Sequence, residues 1–153
     1  MLIVLYLLQE KVINAPVFFL SEELEKERFK YYSLLNGVRA IREKQEDWKS
    51  WIEFFLQATI RMAKSQFRKL DQAEKLYING SKNLVQPSLQ KIWLSFFAHP
   101  ITTVKDIQKL TDLSPSTIRK GLKELENKQL IFGNDFKRNR RYYLYDLIRI
   151  MTQ

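Results

Sequence analysis

The stretch Thr102–Tyr145 constrains the chain more than any other, because it carries its own punctuation at every join. Thr103 followed three residues later by Asp106 matches a capping box, in which side chains satisfy the free amides at a helix start. Val104, Ile107 and Leu110 then fall three apart, on one helical face. Ser114 stands before Pro115, so the serine can cap a second helix whose first position needs no amide hydrogen. Leu113 and Ile118 occupy the two positions of a hydrophobic staple across that cap. In the second helix Ile118, Leu122 and Leu125 share one side, with Gly121 at its border permitting close helix approach. Ser116, Lys120, Lys123 and Asn127 share the other side, flanked by Thr117, Arg119 and Glu124.

A hairpin follows. Leu130-Ile131-Phe132 reads as a short strand, Gly133-Asn134-Asp135 as a turn, and Tyr142-Tyr143-Leu144-Tyr145 as an aromatic return strand. Between them Lys137-Arg138-Asn139-Arg140-Arg141 places four cations in five residues. Helix, turn, helix and basic-tipped hairpin is the order of a winged helix-turn-helix. In that reading Ser116, Thr117, Arg119, Lys120 and Lys123 lie nearest a duplex, and Lys137, Arg138, Arg140 and Arg141 sit on phosphate. The competing reading is a solvated helix face and a module that docks a protein partner, since fold does not fix function.

Charge favours the first reading. The chain carries a net +9, distributed unevenly: residues 1–84 hold 14 Lys/Arg against 11 Asp/Glu, and residues 85–153 hold 12 against 6. A compact basic C-terminal part suits phosphate. The absence of cysteine excludes disulfides, thiol catalysis and thiolate metal sites, and suits the cytoplasm. The single histidine, His99, leaves no histidine cluster for metal or triad chemistry.

Upstream, residues 2–13 are apolar nearly all round and read as a helix ending near Ile13-Asn14. Met1–Leu8 is too short to span a bilayer and lacks the basic start and cleavage site of a signal peptide. An all-round apolar helix needs partners on every side. Two sources are expected: a longer chain from which this one is cut, or a second subunit, giving a homo-oligomer through this helix. Ala15-Pro16 breaks the helix, and Ser21 can cap the next, whose apolar side runs Leu24, Phe29, Tyr32, Leu35 and Val38. Glu22, Glu23, Glu25 and Glu27 alternate with cations and read as a solvated face. Asp47 can cap a long helix with a core at Trp48, Trp51, Ile52, Phe55, Thr59 and Met62, thinning beyond Met62. Asn79-Gly80-Ser81-Lys82-Asn83 is the expected linker. It separates a helical domain over 1–78 from a winged helix over 84–153, whose first helix begins at Pro87 and stops at His99-Pro100.

The run PVFFLSEELEKERFKYYSLLNGVRA, followed by Trp48, Trp51 and Phe55, resembles the part of Fic-family proteins that follows their active-site motif. Met1–Ile13 is similar to the helix that leaves that motif, and many members carry a C-terminal winged helix. The resemblance implies a mainly α chain: a Fic-like helical remnant, then a winged helix-turn-helix with a small β-hairpin wing. The family moves adenylate from ATP, with magnesium, onto a hydroxyl of a target protein. Its motif, His-Pro-Phe-x-x-Gly-Asn-Gly-Arg, occurs nowhere in this sequence; His99-Pro100 is followed by Ile101-Thr102. The chain alone is therefore not expected to catalyse adenylyl transfer or to hold a cofactor. Residual adenine contact is implied for Tyr32, with Leu35 and Arg39 on the same face. The expected partners are DNA, a target protein or a second copy, and no membrane.

Overall fold

The computed structural model describes residues 2–14, 20–39, 47–136 and 139–152. The chain is mainly helical with one small antiparallel sheet, and it divides into two compact units, Met1–Phe67 and Arg68–Gln153.

The first unit holds α1 (Leu2–Gln9), α2 (Leu20–Lys26), α3 (Arg28–Val38) and the start of α4 (Trp48–Ser81). The helix α1 stops earlier than its apolar run suggests. Lys11 adopts a left-handed backbone, φ 55°, and the Val12 amide donates back to the Leu7 carbonyl at 2.9 Å. That closing turn satisfies the last carbonyls of the helix and sends Val12 and Ile13 off its axis. The helix expected after Ser21 begins one residue earlier, at Leu20, and breaks at Glu27, so Ser21 lies inside the first turn. The acidic run is not a uniformly solvated face either. Glu23 is buried, its carboxylate meeting Lys26 at 2.6 Å and Arg61 of α4 at 3.5 Å, while Glu27 pairs with the same Arg61. Arg61 thus fastens both sides of the α2–α3 break.

Asp47 caps α4 as expected, its carboxylate accepting the Ser50 amide at 3.0 Å. Of the expected core of α4 Met62 is buried, but the buried residues before it are Phe54 and Ala58, one helical position away from the expected Phe55 and Thr59. Trp48 and Ile52 are exposed; Trp51 and Phe55 are half-buried and stack on each other at 5.3 Å. The reason is that α4 carries apolar residues on two faces, and α2 and α3 cover only one. Among the described residues the buried apolar set of this unit is Leu20, Val38, Phe54, Ala58 and Met62, while Leu5, Tyr6, Phe29, Leu56 and Ile60 are exposed.

The segment expected as a linker is instead the end of α4. Asn79, Gly80 and Ser81 are helical, and a Cβ on Gly80 would stand 2.4 Å from the Trp93 ring. Trp93 Nε1 donates to the Tyr77 carbonyl at 3.2 Å, so the indole rivets this turn to the helix that follows. Turn-prone residues are tolerated at a helix end when packing there favours the helix.

The second unit continues with α5 (Pro87–Ala98), β1 (Ile101–Thr103), α6 (Val104–Thr111), α7 (Pro115–Asn127), β2 (Phe132–Gly133), β3 (Arg141–Tyr143) and α8 (Tyr145–Thr152). The strands lie in the order β1-β3-β2, all antiparallel, with Thr102 opposite Tyr142 and Phe132 opposite Tyr143. β1 is an addition to the expected hairpin, and β2 and β3 sit slightly off the anticipated runs. Gln129, φ 57°, closes α7 with a left-handed turn, so the chain enters the sheet at Phe132, and Tyr145 already belongs to α8. One core joins these elements: Leu89, Ile92, Trp93 and Phe96 of α5, Ile107 of α6, Ile118, Leu122 and Leu125 of α7, and Ile131, Tyr142, Leu144 and Leu147. Gly121 lets α7 close on α5, since a Cβ there would lie 2.5 Å from Ile92 Cδ1.

Candidate nucleic-acid interface

The start of α6 is locked by a reciprocal cap. The Asp106 amide donates to Thr103 Oγ1 at 3.4 Å, and the Asp106 carboxylate accepts the Thr103 amide at 3.1 Å and the Thr103 hydroxyl at 2.7 Å. That hydroxyl bond is the main reason the Asp106 carboxyl titrates below its ordinary range. Asp112, φ 54°, ends α6, and Leu113 turns into the core beneath the cap of α7. Ser114 Oγ accepts the Thr117 amide at 3.2 Å and lies 2.9 Å from the hydroxyls of both Ser116 and Thr117. Two of the sequence-predicted contact residues therefore meet each other through the capping serine.

With Ile118, Leu122 and Leu125 buried, the helical period turns Arg119, Lys120 and Lys123 outward, and all three are exposed. Among the described residues none of them meets a carboxylate within ion-pair distance. Elsewhere on this unit Lys75 pairs with Asp71, Lys128 with Glu124 and Arg149 with Asp146. The cations on the outward face of α7 thus have no carboxylate partner among the described residues, although Lys128 at the end of the same helix has one.

The hairpin cations divide. Arg140 does not reach outward: its guanidinium donates to Glu126 Oε1 of α7 at 2.7 Å and stacks 5.2 Å from the Tyr142 ring. The same Glu126 oxygen accepts the Gly133 amide at 3.0 Å, so one carboxylate ties both strands of the hairpin to the helix. Space there is tight enough that a Cβ on Gly133 would stand 2.6 Å from both Glu126 and Arg140. Arg141 is exposed, on the strand that pairs with β1, and its backbone is held by Asn134 on both its amide and its carbonyl. Lys137 and Arg138 lie outside the described residues. Burial pushes the Tyr142 hydroxyl up from its usual range.

A cleft of about 740 Å³ opens between the first turn of α6, the start of α7 and β3. Lys105, Lys109, Arg119, Arg140 and Arg141 line it, with Asp106 the one acidic residue there. The sequence reading singled out neither Lys105 and Lys109 nor the Glu126 clamp. The two lysines are legible in retrospect, as a four-residue spacing on the polar side of α6. The clamp joins residues 14 apart through tertiary structure, and no local pattern announces it.

Tyr32, Leu35 and Arg39 lie along α3 and its C-terminal cap. Tyr32 is exposed, edge-on to Tyr31 at 5.3 Å with the Arg28 guanidinium 5.8 Å from its ring. Leu35 is half-buried, its carbonyl accepting the amide of exposed Arg39 at 3.2 Å. Among the described residues there is no group of three or more His, Cys, Asp or Glu placed to hold a metal ion, and no helix long and apolar enough to cross a membrane.

No protein-family model matches the chain. The X-ray crystal structure of the YusO protein from Bacillus subtilis is similar over 67% of this chain and 72% of that one, at 22% identity and a TM-score of 0.36. A superposition that loose assigns no fold.

Proposed function

We propose that residues 84–153 form a winged helix-turn-helix that binds duplex DNA, with α7 as the helix entering the major groove and the β2–β3 hairpin as the wing. The observation that supports it is the clustering of charge: Arg119, Lys120 and Lys123 are exposed on one helix face with no ion pair among the described residues. Exposed ion pairs contribute little to stability, so leaving one face without them costs the fold little and gives a polyanion free donors. In this reading Lys120 and Lys123 face base edges, Ser116 and Thr117 lie at the helix start, and Arg141, Lys137 and Arg138 meet phosphate. Arg140 contributes by holding the wing rather than by free contact. We propose a cytoplasmic location, which the cysteine-free sequence suits.

For residues 1–78 we retain the Fic-type reading: the C-terminal part of such a domain, itself without adenylyl-transfer activity because the His-Pro-Phe-x-x-Gly-Asn-Gly-Arg motif is not in the sequence. The exposed Leu5, Tyr6, Leu56 and Ile60 support it, because they are the side chains a larger domain or a second subunit would cover. A stand-alone regulator that dimerises through residues 1–78 uses the same surface.

The test is duplex binding by the full chain against salt. Phosphate contact gives log K falling with log[salt] at a slope of roughly −0.9 per phosphate neutralised. A flat response removes the DNA reading and leaves a protein-docking module.

A further inference from the structure

We infer that the cleft between α6, α7 and β3 is a second, sequence-independent contact for the DNA backbone, and that Lys105 and Lys109 are its phosphate ligands; this rests on the DNA reading of the same unit. Three observations carry it. First, the cleft is lined by Lys105, Lys109, Arg119, Arg140 and Arg141 against one carboxylate, Asp106. Second, that carboxylate is committed to the cap of α6, where it accepts both the amide and the hydroxyl of Thr103; it keeps its charge and acts on Lys109 as well, so the cleft sets five cations against one anion. Arg140 is likewise held by Glu126. Lys105, Lys109, Arg119 and Arg141 remain, and among the described residues none of the four has a carboxylate within ion-pair distance. Arg68, Lys69, Lys82, Lys91, Lys120 and Lys123 share that property on this unit but line no part of this cleft. Third, Arg119 belongs both to the cleft and to the outward face of α7, so the two basic surfaces are continuous.

The chemistry selects the ligand. Like charges in excess of their counter-ions repel one another, and an anion relieves that repulsion. One amide at each helix start is capped, that of Asp106 by Thr103 and that of Thr117 by Ser114, and the charge the cleft offers an anion is that of side-chain ammonium and guanidinium groups. Lysine offers a point charge without directional readout, which suits phosphodiester oxygens and not base edges. With α7 seated in a groove, the strand bordering that groove would pass on the Arg119 side of the helix, where the cleft opens.

The experiment uses the full chain and a labelled random-sequence duplex of about 20 base pairs, titrated between about 50 and 200 mM salt. Lys105→Gln/Lys109→Gln is compared with wild type and with Lys75→Gln, which lies away from the cleft. Thermal melting of each variant reports folding; both lysines are exposed, so the double variant should melt as wild type does. The expected result is an affinity reduced roughly tenfold, a salt slope shallower by about one to two, and an unchanged ranking of duplex sequences. Lys75→Gln should match wild type. If wild type shows a steep slope and the double variant keeps both affinity and slope, the cleft is not a backbone contact and the DNA reading stands. A changed sequence ranking at unchanged slope would equally overturn the assignment, since the lysines would then act through the placement of α7. If wild type itself responds flatly to salt, the DNA reading and this inference fail together.

Discussion

At the scale of single residues, the most instructive are those where two local effects oppose. Gly80 sits in a helix, where alanine is intrinsically better by about 1 kcal/mol. Yet the added Cβ would stand 2.4 Å from the rigid, fully buried Trp93 ring. Overpacking of a buried site costs about 1–3 kcal/mol, so Gly80→Ala should lower stability by roughly 1 kcal/mol net, read as a reduced urea midpoint at unchanged m-value. A stabilised variant would mean the indole yields. Glu126→Ala removes the shared acceptor of Arg140 and Gly133, leaving a half-buried guanidinium and an amide without it; the expected loss is about 1–3 kcal/mol. Titration offers a third test. The Asp106 carboxyl is held below its ordinary value chiefly by the Thr103 hydroxyl, so its contribution is present above the unfolded-state pKa near 3.8 and is lost as pH falls through the lower folded value. Asp106→Asn should therefore flatten the acid limb of stability against pH below about 4; an unchanged limb would assign it to other carboxylates.

Elements show what a sequence can and cannot announce. Both helix starts in the second unit were legible, because Thr103–Asp106 and Ser114–Pro115 encode their caps within a few residues. Ser114→Ala should accordingly cost about 1 kcal/mol, seen in the melting of the full chain. The buried face of α7 was also legible, since one period fits and one core receives it. α4 was not. Trp48, Ile52 and Phe55 have the spacing of a core stripe that runs on to Met62, but Phe54 and Ala58 lead to the same Met62 equally well, and only tertiary packing decides between them. The strand β1 escaped notice because three residues carry no periodicity. Its partner β3 lies about forty residues downstream, and pairing at that distance has no local signature. The candidate contact residues followed the same rule: those on α7 were readable from the helix wheel, whereas the engagement of Arg140 by Glu126 depends on a tertiary contact.

For the molecule as a whole, the two units are unequally finished. The second has a continuous core of thirteen buried residues centred on Trp93 and Phe96. The first buries five apolar side chains among its described residues and leaves Leu5, Tyr6, Phe29, Leu56 and Ile60 exposed. Among the described residues both units expose large apolar side chains, but only in the first do these outnumber the buried ones, and such a surface favours association. We therefore expect the full chain to sediment as a homo-oligomer, and Leu5→Glu with Tyr6→Glu to shift it to monomer without altering the melting of the second unit. A monomeric wild type would assign that surface to a different partner. Charge follows the same division: residues 1–67 carry 10 Lys/Arg against 9 Asp/Glu, and residues 68–153 carry 16 against 8.

The Glu126 clamp has a consequence for anyone who would graft a different helix onto this scaffold. The acceptor that anchors the β-ribbon is supplied by α7 itself, near its C-terminal end, so a transplanted helix that lacks a carboxylate at that position would unfasten the ribbon it was never meant to alter. In this protein reprogramming and stability are coupled at one side chain, and a successful transplant must carry Glu126 with it.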